Sequence, residues 1–140
     1  MSDGEKNTSS TQREELKKGR IVGSFVIEDF IGRGGYSDIY MVSDPKERKF
    51  YALKLEEIGQ KKTAIIREGE VYNELKDIKY FPKIKRIGNT EKYNYIAMEM
   101  LGPSLSQFKK IIPSHTYSVQ TTIRLSRNML CAIQAVHEKG

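Results

Sequence analysis

An α+β fold, an antiparallel sheet followed by helices, is predicted for this chain from three observations. Between Phe25 and Leu55, short apolar runs alternate with turns and charged stretches, the spacing of successive antiparallel strands. The first two runs are joined by a glycine-dense turn, Gly32-Arg33-Gly34-Gly35-Tyr36-Ser37. Two later stretches, from Thr63 to Ile78 and from Val119 to His137, instead repeat their apolar residues every three and four positions, as amphipathic helices do. Strands gathered ahead of helices point to α+β.

The elements follow in order. The first twenty residues are rich in Ser, Thr, Lys and Glu and lack apolar periodicity, so 1–20 is predicted to be a disordered polar tail; it has no apolar stretch of the signal-peptide kind. Phe25, Ile27, Phe30 and Ile31 form the first strand, and Ile39, Tyr40, Met41 and Val42 form the second. No helix follows the glycines, which excludes the dinucleotide fingerprint and the Gly-Lys-Ser/Thr loop, since both need one there. Asp44-Pro45 reads as a turn, and Phe50 to Leu55 as a third strand carrying Lys54 in Tyr51-Ala52-Leu53-Lys54. A turn without Cβ atoms lets backbone N–H groups approach phosphate oxygens, and a nearby lysine supplies the countercharge. The alternative for the glycines is a plain turn.

The helix over Thr63 to Ile78 is predicted to bury Val71, Tyr72, Leu75 and Ile78, with Gly69 weakening it by roughly 1 kcal/mol relative to alanine. Phe81-Pro82-Lys83-Ile84 breaks that helix and opens a strand, and Tyr93 to Met98 gives another. Ser104 to Ile112 reads as a short helix capped by Ser104 or Ser106 and ended by Pro113. A longer helix between Val119 and His137 carries Ile123, Ser126, Met129, Leu130, Ile133 and Val136 on its apolar face.

The glycine turn followed by the lysine strand resembles the N-lobe of a protein kinase. Gly32, Gly34, Ser37 and Ile39 stand in the G-x-G-x-x-G-x-V pattern, with Ser37 in place of the third glycine, and Tyr51-Ala52-Leu53-Lys54 is similar to V-A-I-K. Met98-Glu99-Met100-Leu101-Gly102-Pro103-Ser104-Leu105 looks like the hinge of the casein kinase 1 group, while Gly19-Arg20-Ile21-Val22-Gly23 and the glycine loop are also similar to its tau-tubulin kinase branch. The resemblance runs from about Arg20 to Gly140. It implies a kinase-like fold whose N-lobe, 21–101 with the hinge, holds a five-stranded antiparallel sheet and one helix. Residues 102–140 would then be the first helices of a C-lobe that stops before the catalytic loop.

By the same resemblance, Lys54 needs a glutamate from the following helix. Glu68 lies three residues before Val71 and four before Tyr72, on the predicted buried face, so it is chosen over Glu70; an ordinary surface glutamate is the alternative. The loop from Ile31 through Gly32, Arg33, Gly34, Gly35, Tyr36, Ser37, Asp38 and Ile39 would cover ATP. Ile31, Ile39 and Ala52 would wall the adenine, Met98 would close the back of its pocket, and the Glu99 carbonyl and Leu101 N–H would bond its edge. Met100 and Tyr95 are read as packing residues. No His-Arg-Asp, Asp-Phe-Gly or Ala-Pro-Glu occurs, so the base and the metal ligands of phosphoryl transfer are missing. ATP is therefore expected to bind weakly, Mg²⁺ only with a supplied C-lobe, and the chain alone is expected to be inactive. Protein Ser/Thr substrates follow only for a completed kinase.

Composition adds less. The net charge of +6 and the cluster Lys61, Lys62, Lys76, Lys79, Lys83, Lys85 and Arg86 allow a binding module for acidic partners. Glu70, Glu74 and Asp77 dilute that cluster, no aromatic set is interleaved with it, and nucleic acid is not expected. The single cysteine, Cys131, is read as a buried small hydrophobe in a reducing compartment, and His115 and His137 lack partners at metal-ligand spacing. An intracellular protein, cytoplasmic or nuclear, without a membrane span is expected. Three functions stay open: part of a casein kinase 1-like kinase, a non-catalytic nucleotide- or partner-binding fragment, or a charge-driven binding module. The apolar face of the last helix would favour a partner or self-association.

Overall fold

The computed structural model describes residues 13–59 and 64–140. Residues 1–12 of the expected tail, and Lys61 and Lys62 of the basic cluster, lie outside the described residues. The chain runs β1 (Ile21–Val22), β2 (Phe25–Arg33), β3 (Asp38–Asp44), β4 (Lys49–Glu57), α1 (Ala64–Glu74), β5 (Ile84–Asn89), β6 (Tyr93–Glu99), α2 (Leu105–Ile111) and α3 (Val119–His137). One six-stranded sheet has the order β1-β2-β3-β4-β6-β5, with every neighbouring pair antiparallel. Five of these strands match the sequence expectation. The sixth, β1, doubles back on β2 through Gly23, whose φ of 62° suits a residue without a side chain. Two residues are too few to leave an apolar alternation in the sequence.

Alternation along β3 shows how the sheet divides its side chains. Asp38, Tyr40, Val42 and Asp44 are buried on one face, while Ile39, Met41 and Ser43 are half-buried on the other. The first face holds the core: Phe25, Ile27, Tyr40, Val42, Leu53, Leu55, Tyr95 and Ala97. Each large apolar side chain fully buried here contributes about 1.5–3 kcal/mol. Phe25 sits edge-on to both Tyr51 and Tyr95, with ring centroids 6.0 and 6.2 Å apart, the favoured arrangement for aromatic quadrupoles. Asp44 organises the turn that Asp44-Pro45 announces: its carboxylate accepts from the Lys46 N–H at 2.9 Å and its carbonyl from the Arg48 N–H at 2.8 Å.

Residues 13–20 correct the disordered-tail expectation. Leu16 packs against the core, and its N–H donates to the Tyr40 hydroxyl at 3.1 Å. Gly19 N–H donates to the Ile27 carbonyl at 2.7 Å, and Ile27 N–H to the Arg20 carbonyl at 2.8 Å. One leucine and a few backbone bonds to β2 are enough to order a polar strap, and neither produces a periodic pattern.

Helix α1 ends at Glu74, before the expected Ile78, and is rotated relative to expectation; Thr63, the expected start, lies outside the described residues. Ile65 and Gly69 are its buried residues, Glu68 and Tyr72 are half-buried, and Val71 is 48% exposed. Val71 therefore does not belong to the buried face, although Leu75, just past the helix end, does. Gly69 explains the rotation, because a Cβ there would stand 3.0 Å from Ile87 Cδ1. The helix approaches β5 where it has no side chain, so the glycine that weakens the helix also allows its packing.

Ser104 rather than Ser106 caps α2. It accepts from the Gln107 N–H at 3.2 Å while Gln107 Oε1 accepts from the Ser104 N–H at 2.9 Å, a complete capping box. Ser118 caps α3 by accepting from the Thr121 N–H at 3.2 Å. Neither α2 nor α3 packs on the sheet. Ile123, Met129, Leu130 and Ile133 are all more than half exposed.

Candidate functional site

The site grows from strand register. Ile39 pairs with Lys54 and Met41 with Ala52 across β3 and β4, while Lys54 pairs with Ile96 and Ala52 with Met98 across β4 and β6. Paired residues share a face, so Ile39, Ala52, Lys54 and Met98 stand together on the face opposite the core. Helix α1 covers one end of this face, packing on β4, β5 and β6. Ile39, Ala52, Lys54 and Met98 remain half-buried, as an uncovered wall would.

Lys54 Nζ donates to both Glu68 carboxylate oxygens, at 2.7 and 2.6 Å. Both side chains keep some access to solvent, at 23% and 28% exposure, so the ammonium is aimed without being sealed. Charge-assisted bonds of this kind are shorter and stronger than neutral ones. Burial, and then the neighbouring Glu68 carboxylate, push the Tyr72 phenol above its ordinary range, so it stays neutral beside the pair.

Glu56, which no motif in the sequence singles out, is the second hold on α1. It is 1% exposed and accepts from the Ala64 N–H at 3.0 Å and the Ile65 N–H at 3.2 Å. These donors belong to the first turn of the helix, where no intrahelical acceptor exists. A carboxylate there also faces the positive end of the helix dipole. Lys54 and Glu56 stand on one face of β4, a placement that alternation gives without marking Glu56 as an acceptor for the helix. β4 thus grips α1 at its start through Glu56 and one turn later through Lys54.

The glycine loop closes the β2–β3 hairpin. Gly34 N–H donates to the Ser37 carbonyl at 2.7 Å, and a Cβ on Gly34 would approach that carbonyl to 3.3 Å. At Gly32 and Gly35 an added Cβ would meet nothing within 4 Å, and neither has a positive φ. Neither packing nor backbone conformation requires glycine at these two positions. What they leave is bare backbone, the surface a phosphate needs for close approach, so the residues present fit a nucleotide. Ile31 and Tyr36 are exposed, at 49% and 56%.

Two loop side chains turn elsewhere. Arg33 Nε and Nη2 donate to the two Asp38 oxygens at 2.9 and 3.0 Å, and Asp38 is buried on the core face, so its carboxylate does not reach Lys54. At the far end, Glu99 is bound to Lys83 twice, through its backbone N–H and its side chain, each at 2.9 Å. Leu101 lies past the end of β6 and is 62% exposed. Tyr95 is buried in the core and Met100 is 39% exposed. A cavity of about 410 Å³ lies under the strap, lined by Arg13, Asp38, Tyr40, Leu55 and Tyr93. It opens on the core face, away from Lys54.

Among the described residues no three His, Cys, Asp or Glu side chains gather as metal ligands. No helix among them is long and apolar enough to cross a membrane. Within the basic cluster, Lys85 is paired with Glu47, and Arg86 donates to Ser24 Oγ at 2.8 Å.

No profile of a known protein family matches the chain. It is 28% identical over 120 residues to a protein of Dictyostelium discoideum described as a probable serine/threonine-protein kinase, covering 86% of this chain and 24% of that one. A protein of Caenorhabditis elegans, named provisionally as a casein kinase I, is 30% identical over 119 residues, covering 81% and 34%. The serine/threonine-protein kinase spe-6 of Caenorhabditis elegans is 27% identical over 108 residues, covering 76% and 28%. The chain thus spans roughly a quarter to a third of the length of the curated relatives it matches.

Proposed function

We propose that this chain, a relative of the serine/threonine protein kinases, supplies the ATP-binding lobe and hinge of a casein kinase 1-like enzyme. The lobe would run over 21–101, with the strap before it packed on the sheet and α2 and α3 as the first helices of the next lobe. The observation that carries the reading is the Lys54–Glu68 pair, set on the same sheet face as Ile39 and Ala52 below a loop with bare glycine backbone. The hinge-like octet Met98 to Leu105 and the relative named as a casein kinase I favour that group.

Each residue then has a physical task. Glu68 holds the Lys54 ammonium in one orientation, and Lys54 offers its charge to phosphate oxygens. The bare backbone at Gly32 and Gly35 lets the loop meet the phosphates without a Cβ in the way, while the Gly34 N–H is taken by the Ser37 carbonyl. Ile31, Ile39 and Ala52 exclude water from the adenine, Met98 limits the depth of its pocket, and the Glu99 carbonyl and Leu101 N–H select its edge. ATP supplies the phosphoryl group, and a protein Ser or Thr hydroxyl would receive it in a completed kinase. These 140 residues contain no His-Arg-Asp or Asp-Phe-Gly, so a positioned base is missing, which alone is worth about 10²–10⁴ in rate. The chain by itself is expected to bind nucleotide without transferring phosphate.

The test is thermal unfolding with and without ATP. Unmodified protein should melt at a higher temperature with ATP, and Lys54→Met should lose that shift. An undiminished shift in Lys54→Met would remove Lys54 from its task.

A further inference from the structure

We infer that Arg13, on the N-terminal strap, is a positioning residue for the glycine loop, fixing the Gly34–Gly35 peptide so that its N–H faces the phosphates. The inference rests on the nucleotide reading above and deepens it. Arg13 Nη2 donates to the Gly34 carbonyl at 2.5 Å and lies 3.3 Å from Asp38 Oδ1. Its side chain is only 13% exposed, although an arginine in a polar strap could turn into solvent. Its Nη1 is buried with no hydrogen-bond partner among the described residues. A side chain that accepts such desolvation is held in place by what its other nitrogen binds.

The direction of that peptide follows from geometry. Asp38 is buried on the core face, and Ile39 stands on the opposite face, in register with Lys54. Arg13 reaches the Asp38 carboxylate, so it lies on the core side of the loop, and the Gly34 carbonyl it binds is directed to that side. In a trans peptide the C=O and the N–H of the next residue point in opposite directions. The described residues contain no cis peptide. The Gly35 N–H is therefore turned toward the face of Ile39 and Lys54. Gly35 is also one of the two positions where the backbone is bare.

The strap is anchored well enough to do this. Leu16, three residues after Arg13, is packed in the core and bonded to Tyr40, and Gly19 and Arg20 are bonded to Ile27. Arg33 closes the knot by bonding both Asp38 oxygens. Removing Arg13 leaves Asp38 satisfied, so Arg13→Ala should still fold. A loop already holding its N–H in the bound orientation forgoes the ordering penalty on binding.

Two readouts on the full chain test this. Amide ¹⁵N relaxation without nucleotide should show the Gly35 N–H becoming more mobile in Arg13→Ala while Leu53 in the core is unchanged. Affinity for ADP should fall roughly tenfold in Arg13→Ala while affinity for adenosine, which carries no phosphate, stays the same. Arg13→Lys, which keeps a charged donor, should fall between. A merely structural role would weaken adenosine and ADP alike. The proposal is overturned by an unchanged Gly35 or by equal losses for the two ligands. If unmodified protein binds neither ligand, the nucleotide reading itself fails, and the Gly35 mobility tells that failure from failure of the strap.

Discussion

At the scale of single residues, this sheet depends on contacts that join distant parts of the sequence. Tyr51 and Lys85 both donate to the Glu47 carboxylate. The Lys85 bond, then the Tyr51 bond, hold the Glu47 carboxyl below its ordinary 4.5, while Glu47 holds the Lys85 amine above its ordinary 10.5. The folded chain binds a proton at Glu47 less readily than the unfolded chain. That contribution is present above pH 4.5 and is lost as pH falls through the lower folded-state value. The Lys85 contribution is whole below pH 10.5 and is lost as pH rises through the raised value. Lys85→Met should therefore melt earlier than unmodified protein at neutral pH, with the gap closing well below pH 4.5; a gap that persists in strong acid would assign the effect to packing. A second residue-scale expectation concerns Gly88, where a Cβ would come within 2.7 Å of Tyr95 Oη and 2.8 Å of its Cζ. Gly88→Ala should destabilise by about 1–3 kcal/mol in urea unfolding, since the buried ring cannot move aside. The Lys54–Glu68 contact is readable in the sequence because a two-residue period places one partner and a 3.6-residue period the other. Arg13 was not readable, because its partners lie 21 and 25 positions away and a charge in a polar run looks solvated.

At the scale of elements, strands and helices follow apolar period closely, and the departures have causes that period does not carry. The strand cores and α3 stand where alternation and three-four spacing put them. The end of α1 and the orientation of Val71 depart from the three-four spacing, and Gly69, weak as a helix former, is the point of contact with Ile87. Alternation alone also gives Glu56 no special standing, although it is the buried acceptor for the start of α1. Glu56→Ala would leave two backbone N–H groups without acceptors, at a cost of about 1–3 kcal/mol. Glu56→Gln, which keeps one oxygen, should lose roughly half as much. A double-mutant cycle on Lys54 and Glu68 would show whether the helix has shifted. Their coupling should shrink in the Glu56→Gln background, and an unchanged coupling would mean that Glu56 only anchors the helix end.

At the scale of the whole molecule, the sheet with α1 is one packed body, and α2 with α3 stand outside it. An apolar helix face left open favours association. Sedimentation of the 140-residue chain should show self-association that weakens when Leu130 and Ile133 are both replaced by Gln; a single monomeric species in the unmodified chain would count against this. The separation of the two parts has a calorimetric consequence. Heat absorbed on unfolding scales with the residues that melt together, at roughly 0.7 kcal/mol per residue near 60 °C. A chain that melted as one unit would absorb about 100 kcal/mol, whereas the sheet and α1 alone would absorb about 60. The isolated chain should therefore give a main transition nearer the lower value, preceded by gradual loss of helical ellipticity from α2 and α3, and anything that docks on α3 should draw that early loss into the main transition.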